Sequence, residues 1–185
     1  MSWIIEENVS DPAAEIINVL DLIMKSTDQY AAQTQDNIVV ANVIITPANR
    51  TVPTNLTAIT FNVTGNTNLN PSCIKSFTLW NDTNANNKFD PGDTPIDTIS
   101  GGTLDASFTN IRLYIPAGTS ARCFLTMNIS GAQVNAQYQL KILPQNVVID
   151  QGTGDNVSSN PSLNLTIVKV EEDSPSILVA PGGHT

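Results

Sequence analysis

The chain has little charge and few residues that do chemistry. Of its 185 residues only 14% are charged, with 8 Lys plus Arg against 17 Asp plus Glu, for a net charge of −9. An acidic chain without a basic cluster is a poor ligand for a phosphate backbone, so no nucleic acid is expected as a partner. The single histidine is His184, next to the last residue. That argues against Ser–His hydrolases and His-rich zinc sites. Aromatic residues make up 5% of the chain, and no apolar run nears the ~20 residues of a membrane helix, so no membrane insertion is expected. Phosphate-binding, zincin, nucleophile-elbow and Cys-x-x-Cys motifs are all missing from the sequence. Asp97, Asp105, Asp150 and Asp155 are scattered through turns without an evident partner, and no enzymatic activity is expected.

What is abundant is small, polar and uncharged: 21 Asn, 20 Thr and 14 Ser. At 41% hydrophobic, with many β-branched residues, the sequence is too apolar for a disordered chain. Its length suits one domain with short extensions. Eight Asn-x-Ser/Thr sequons begin at Asn8, Asn49, Asn55, Asn62, Asn81, Asn128, Asn156 and Asn164, about twice the chance number for this composition. Alternation within the apolar stretches sets Asn62, Asn128 and Asn164 opposite the core residues, where an N-linked glycan needs them. The expectation is an exported glycoprotein, extracellular or on the cell surface. Met1–Glu7 shows no signal peptide, so the export reading takes the chain as mature or trimmed. Cys73 and Cys123 share parity with core residues. Export favours a Cys73–Cys123 disulfide over two buried free thiols.

Residues 1–36 read as an N-terminal extension. It holds an apolar spot, Trp3-Ile4-Ile5, and an amphipathic helix over 12–30. Asp11 would cap that helix, Pro12 open it, and Ile16, Ile17, Leu20, Ile23 and Met24 form its stripe. From residue 37 to 170 the pattern changes to short strands punctuated by turns. They lie near 37–46, 56–64, 73–80, 95–99, 104–108, 110–115, 121–129, 136–143, 146–149 and 162–170, and predict a mainly β, antiparallel Ig-like or jelly-roll sandwich. Residues 171–185 form a tail with a second apolar segment, Ile177-Leu178-Val179, between Pro175 and Pro181.

The sharpest motif is Asp82-Thr83-Asn84-Ala85-Asn86-Asn87-Lys88-Phe89-Asp90-Pro91-Gly92-Asp93. Oxygen side chains fall at positions 1, 3, 5, 9 and 12 of the run (Asp82, Asn84, Asn86, Asp90 and Asp93), and Lys88 at position 7 would offer its carbonyl. Asn87, at position 6, suits a left-handed turn. This spacing lets one chain segment wrap six oxygens around a structural calcium ion. The other reading is an Asx-rich turn without metal. The flanks are strands, so the loop is EF-hand-like in spacing only. Trp80 before it and Phe89 within it are placed to anchor it. Position 12 is Asp where Glu is usual, and the Asn81 sequon adjoins the loop.

The stretch from Phe77 to Asp93 resembles Ig-like calcium-loop domains of prokaryotic, above all archaeal, surface, S-layer and extracellular fibre proteins. Ile111–Ser120 and Leu125–Ala132 look like later strands of the same family. The resemblance spans about residues 37–170 and implies an extracellular β-sandwich with a metal-bound loop. The function read from all this is a structural subunit of a glycosylated filament or surface lattice, a homopolymer of the chain with itself. A terminal segment, Trp3-Ile4-Ile5 or Ile177-Leu178-Val179, would add as a strand to a neighbour. The N-terminal segment is the first choice of donor because a helix follows it. The alternative is a calcium-stabilised adhesin or carbohydrate-binding module, with Trp80, Tyr114 and Tyr138 as candidate platforms.

Overall fold

The computed structural model describes residues 14–17, 29–47, 50–64, 67–150, 152–157 and 163–168. The described chain is mainly strand: β1 (Ala14–Ile17), β2 (Gln29–Ala32), β3 (Gln35–Pro47), β4 (Thr54–Val63), β5 (Ile74–Asn81), β6 (Thr94–Ser100), β7 (Ala106–Ile115), β8 (Ala121–Ile129), β9 (Gln137–Lys141), β10 (Val147–Ile149), β11 (Gly152–Val157) and β12 (Leu163–Val168). Pairing is antiparallel except for β1 with β11 and β2 with β12. The ladders run β2-β12-β9-β4-β10-β11-β1-β3-β8-β5-β6, with β7 joined to β4. Within the described residues β6 pairs only with β5, and β7 only with β4, so each presents an open edge. Both edges carry blunting features: Pro95 and Asp97 in β6, and in β7 a register shift at Asn110, whose φ is 60°.

Alternation makes the core. In β8, Cys123, Leu125, Met127 and Ile129 point one way and are buried, and in β7 Ala106, Phe108, Ile111, Leu113 and Ile115 do the same. These residues join Phe61, Phe77, Leu79 and Tyr138 in one cluster. Phe77 of β5 stacks on Tyr138 of β9, ring centroids 6.4 Å apart, so strands distant in the ladder meet across a shared interior. The Tyr138 hydroxyl donates to the Leu104 carbonyl at 2.6 Å, which satisfies the one polar atom this ring buries.

Three expectations are corrected. The helix over 12–30 is not formed where the structure describes that stretch: 14–17 and 29–30 are strand. β1 lies antiparallel to β3, Ile16 opposite Ile45, and parallel to β11, Glu15 opposite Asn156. The helical period in the sequence loses to a ladder that uses the backbone groups of β3 and β11 on either side. The Cys73–Cys123 disulfide is not formed, and both thiols are free and buried. Register explains this. The Ser130 amide donates to the Cys73 carbonyl at 2.8 Å, while Cys123 stands opposite Asn81 near the other end of β8. Seven residues of strand put the two sites about 23 Å apart, against the ~6 Å a disulfide spans. The Cys73 thiol instead meets the Asn70 carbonyl at 2.8 Å. The short strands expected at 104–108 and 110–115 are one strand, β7.

Candidate metal centre

Residues 82–93 form the connection between β5 and β6. The side chains that hold it lie on the outer face of β3, β8 and β5, opposite the core. There Phe124 stands across from Trp80 on one side and Asn42 on the other. Phe89 of the loop covers this spot, edge-on to Trp80 (centroids 5.1 Å) and to Phe124 (6.1 Å). Phe124 is thus 1% exposed although it faces away from the core. The Trp80 indole N–H donates to Thr126 Oγ1 at 2.9 Å. The anchoring role expected of Trp80 and Phe89 is met by these contacts.

Within the loop, side-chain oxygens gather backbone amides. Asp82 Oδ1 accepts from the Asn86 amide (3.2 Å) and Asp82 Oδ2 from the Asn87 amide (3.0 Å). Asn86 Oδ1 accepts from the Lys88 amide (2.8 Å), and Asp93 Oδ2 from the Asp90 amide (3.0 Å). Asp90 Oδ1 accepts from the Gly92 amide at 2.6 Å, and the side-chain amides of Asn84 and Asn86 both donate to the Asp90 carboxylate. Asn87 is left-handed, at φ 64°, as its position implied, and so is Ala85 at φ 54°. Gly92 answers a close approach: a Cβ there would lie 2.6 Å from Asn84 Nδ2 and 2.9 Å from Asp90 Oδ1.

Charge is concentrated here without full compensation. Asp82 pairs with Arg122 (Nε to Oδ2, 3.5 Å), both side chains largely buried. Asp93 is 7% exposed, and its Oδ1 has no hydrogen-bond partner. Burial raises the Asp93 pKa, and the charges of Asp82 and Asp90 raise it further, against a smaller opposing effect of the Asp90 and Thr83 amides. Asp90 is held low by the Gly92 amide first, then by the amide groups of Asn86 and Asn84. Among the described residues, no three Asp, Glu, His or Cys side chains converge into a ready-made cation cage. The donor set nonetheless suits a hard cation: three carboxylates, two side-chain amides and the Lys88 carbonyl on one short loop, with no sulfur or imidazole. The orphaned oxygen of Asp93 is the group that such an ion would satisfy.

The other expected sites are dispersed. Asn55, Asn62, Asn81 and Asn128 are half-buried. Asn128 is engaged at both ends, accepting from the Asn37 amide at 2.6 Å and donating to Ser76 at 3.1 Å. Asn55 donates to Asp150 at 2.8 Å, and Asn62 accepts from Asn146. Asn156 and Asn164 lie on β11 and β12. Asn8, Asn49, Trp3, Ile4, Ile5, Ile177, Leu178 and Val179 are outside the described residues. Asp105 and Asp150 are tied to the backbone of β4 through the Val63 and Asn55 amides, at 2.7 and 3.0 Å. The reading of the sequence missed Arg122, Asn42 and Gly92. Only the Pro91-Gly92 turn signal pointed to one of them, since a partner from a distant strand leaves no mark in local spacing. No helix among the described residues is long and apolar enough to cross a membrane. No protein-family model matches the chain, and no curated protein matches it.

Proposed function

We propose that this chain is a calcium-stabilised, extracellular β-sandwich of structural type, of the kind the Ig-like calcium-loop resemblance implies. The observation that carries the reading is the Asp93 oxygen, buried without a donor beside two further carboxylates. An unpaired buried carboxylate oxygen is costly, and a divalent cation within the loop offsets that cost. Asp82, Asn84, Asn86, Asp90, Asp93 and the Lys88 carbonyl would hold the ion. It would supply charge neutralisation and fix the loop, with no chemical step. The sandwich reading is supported by Phe77 stacking on Tyr138 across the interior. The test is thermal unfolding of the full chain in EDTA and in calcium. A melting temperature that rises with calcium and falls again with chelator supports the reading, and identical curves refute it.

The assembly limb of the proposal is a homopolymer, filament or surface lattice, formed by strand exchange and carrying N-linked glycans. The open edges of β6 and β7 support it as acceptors. With strand at 14–17 and 29–30 where the helix was expected, the reason for preferring Trp3-Ile4-Ile5 over Ile177-Leu178-Val179 as donor loses its support. Electron microscopy of native material tests this limb. Ordered assemblies lost on deleting 1–11 or 174–185 support it, and a monomer at all concentrations refutes it. The adhesin or sugar-binding alternative has less support: Tyr138 is buried and Trp80 is covered by Phe89, leaving Tyr114, 60% exposed, as the exposed ring of the three.

A further inference from the structure

We infer that Arg122 sets the cation affinity of the 82–93 loop by acting as a resident counter-charge. The inference rests on the cation reading above. Arg122 comes from β8, outside the loop. Its backbone carbonyl accepts from the Asp82 amide at 3.1 Å, which fixes its position relative to the loop's first ligand. Its guanidinium is held from both sides. Nε sits 3.5 Å from Asp82 Oδ2, and Nη1 donates at 3.1 Å to Oδ1 of Asn42, a residue with no exposed surface. Asp82 and Arg122 also line a hollow of about 220 Å³ with Ala85, Asn87 and Ser120, so solvent reaches the pair from one side.

Two roles are open to such a residue, and they predict opposite signs. If Arg122 merely oriented Asp82, its removal would weaken cation binding, as loss of a supporting partner does at metal sites. But Asp82 is already oriented by the Asn86 and Asn87 amides, at 3.2 and 3.0 Å. What those neutral amides do not supply is charge. Among the described residues, Arg122 is the one cation in an ion pair with this acidic loop. Without a metal it keeps Asp82 from being a third uncompensated carboxylate. With a metal it is a positive charge beside a dication, and the two repel. Arg122 therefore trades affinity for a loop that persists without its ion. It places calcium binding in the weak range of extracellular modules, on the order of 10⁻⁴ to 10⁻³ M.

The test is calorimetric titration of the full chain with calcium chloride at fixed ionic strength, alongside melting in EDTA. Arg122→Gln retains a donor for Asn42 and removes the charge. It is expected to bind calcium about tenfold more tightly than wild type and to melt lower in EDTA. Arg122→Lys retains the charge and is expected to bind within threefold of wild type. Equal or weaker binding by R122Q overturns the inference, as does a tenfold loss in R122K, which would mark an orienting role. If R122Q does not fold without the ion, R122K decides by the same criterion. A wild-type chain that neither binds calcium nor melts higher in it refutes the cation reading itself, and that result is distinct from the variant outcomes.

Discussion

Replacing Asp93 with Asn separates the charge of this side chain from its hydrogen bond. Oδ2 accepts from the Asp90 amide and Oδ1 accepts from nothing, and the side chain lies near Asp82 and Asp90. Asn retains an acceptor for the Asp90 amide. It also turns the unpartnered acceptor into an NH₂ donor facing two carboxylates. A buried unsatisfied polar group costs about 1–3 kcal/mol, more when charged. D93N is therefore expected to stabilise the metal-free protein by about 1 kcal/mol, or about 2–4 °C in melting temperature for a chain of this size. In calcium the order should reverse. An ion at ten to a hundred times its dissociation constant stabilises the wild type by about 1.4–2.7 kcal/mol. D93N, lacking a ligand charge, should gain little. Crossed melting curves, variant above wild type in EDTA and below it in 10 mM calcium, are the signature. A variant that melts with the wild type in both conditions would mean that Asp93 is only a partner for the Asp90 amide, a bond that Asn keeps, and the argument from its buried charge would fail.

The same charge gives a pH dependence of known sign. The folded pKa of Asp93 is raised, so the folded state binds this proton more tightly than the unfolded state. Without metal, the Asp93 contribution to stability therefore rises as pH falls from above the raised value toward the ordinary 3.8. Asp90 and Asp150 have lowered values, and their contributions work the other way, being lost as pH falls through their folded pKa values. As pH falls through the raised Asp93 value toward 3.8, melting temperature measured in EDTA should thus fall more steeply, or rise less, for D93N than for wild type.

Phe89→Ala should unseat the loop, removing two edge-on ring contacts worth about 0.5–1.5 kcal/mol each beyond the lost burial; urea titration followed by Trp80 emission in a Trp3→Phe background would show both the loss and a shift in the emission maximum. Gly92→Ala should disturb the Asn84–Asp90 contact and lower calcium affinity with little effect on the core, checked by calorimetry with far-ultraviolet circular dichroism as control. Cys73 and Cys123 should give the same gel mobility with and without reductant. Cys123, with its thiol pushed up to about 12 by burial, should react with a thiol probe only after unfolding.

What the sequence disclosed follows the reach of each physical signal. Strand parity is local, and it placed Cys123, Leu125 and Met127 in the core and marked β8 at both of its ends. The left-handed turn at Asn87 was legible because few residue types take positive φ. Ala85 takes the same conformation with no such mark. The failures are non-local. Ala14–Ile17 has a helical spacing, and only the presence of β3 and β11 on either side makes it a strand. Parity put both cysteines inside, but register along β8 decides whether they meet, and register is not written in either strand alone. Arg122 carries no motif, because its partners come from β3 and from the first loop residue after β5.

The shortage of charge has a structural counterpart on the strand faces turned from the core. Thr46 bonds Ser120 at 2.7 Å, Thr60 bonds Ser107 at 2.8 Å, Thr78 bonds Thr98 at 2.9 Å, and Asn128 bonds Ser76 at 3.1 Å, each pair joining different segments of the chain. Short polar side chains satisfy one another across a ladder without the desolvation that an ion pair incurs there. This bears on the sequons. An asparagine whose amide NH₂ is held in such a pair keeps only its second N–H for a sugar and is fixed in the orientation that the pair imposes. Asn128, bonded at both ends, and Asn55, bonded to Asp150, are poor acceptors in the folded state on these grounds. Asn62 uses its oxygen toward Asn146, and the NH₂ of Asn81 has a long contact of 3.4 Å to Thr83 of its own sequon. The amides of Asn62 and Asn81 are the less committed, so peptide mapping of glycosylated material should find these two occupied ahead of Asn55 and Asn128. The reverse order would mean that the outer-face pairs contribute less than their geometry implies, or that sugar is added before they form.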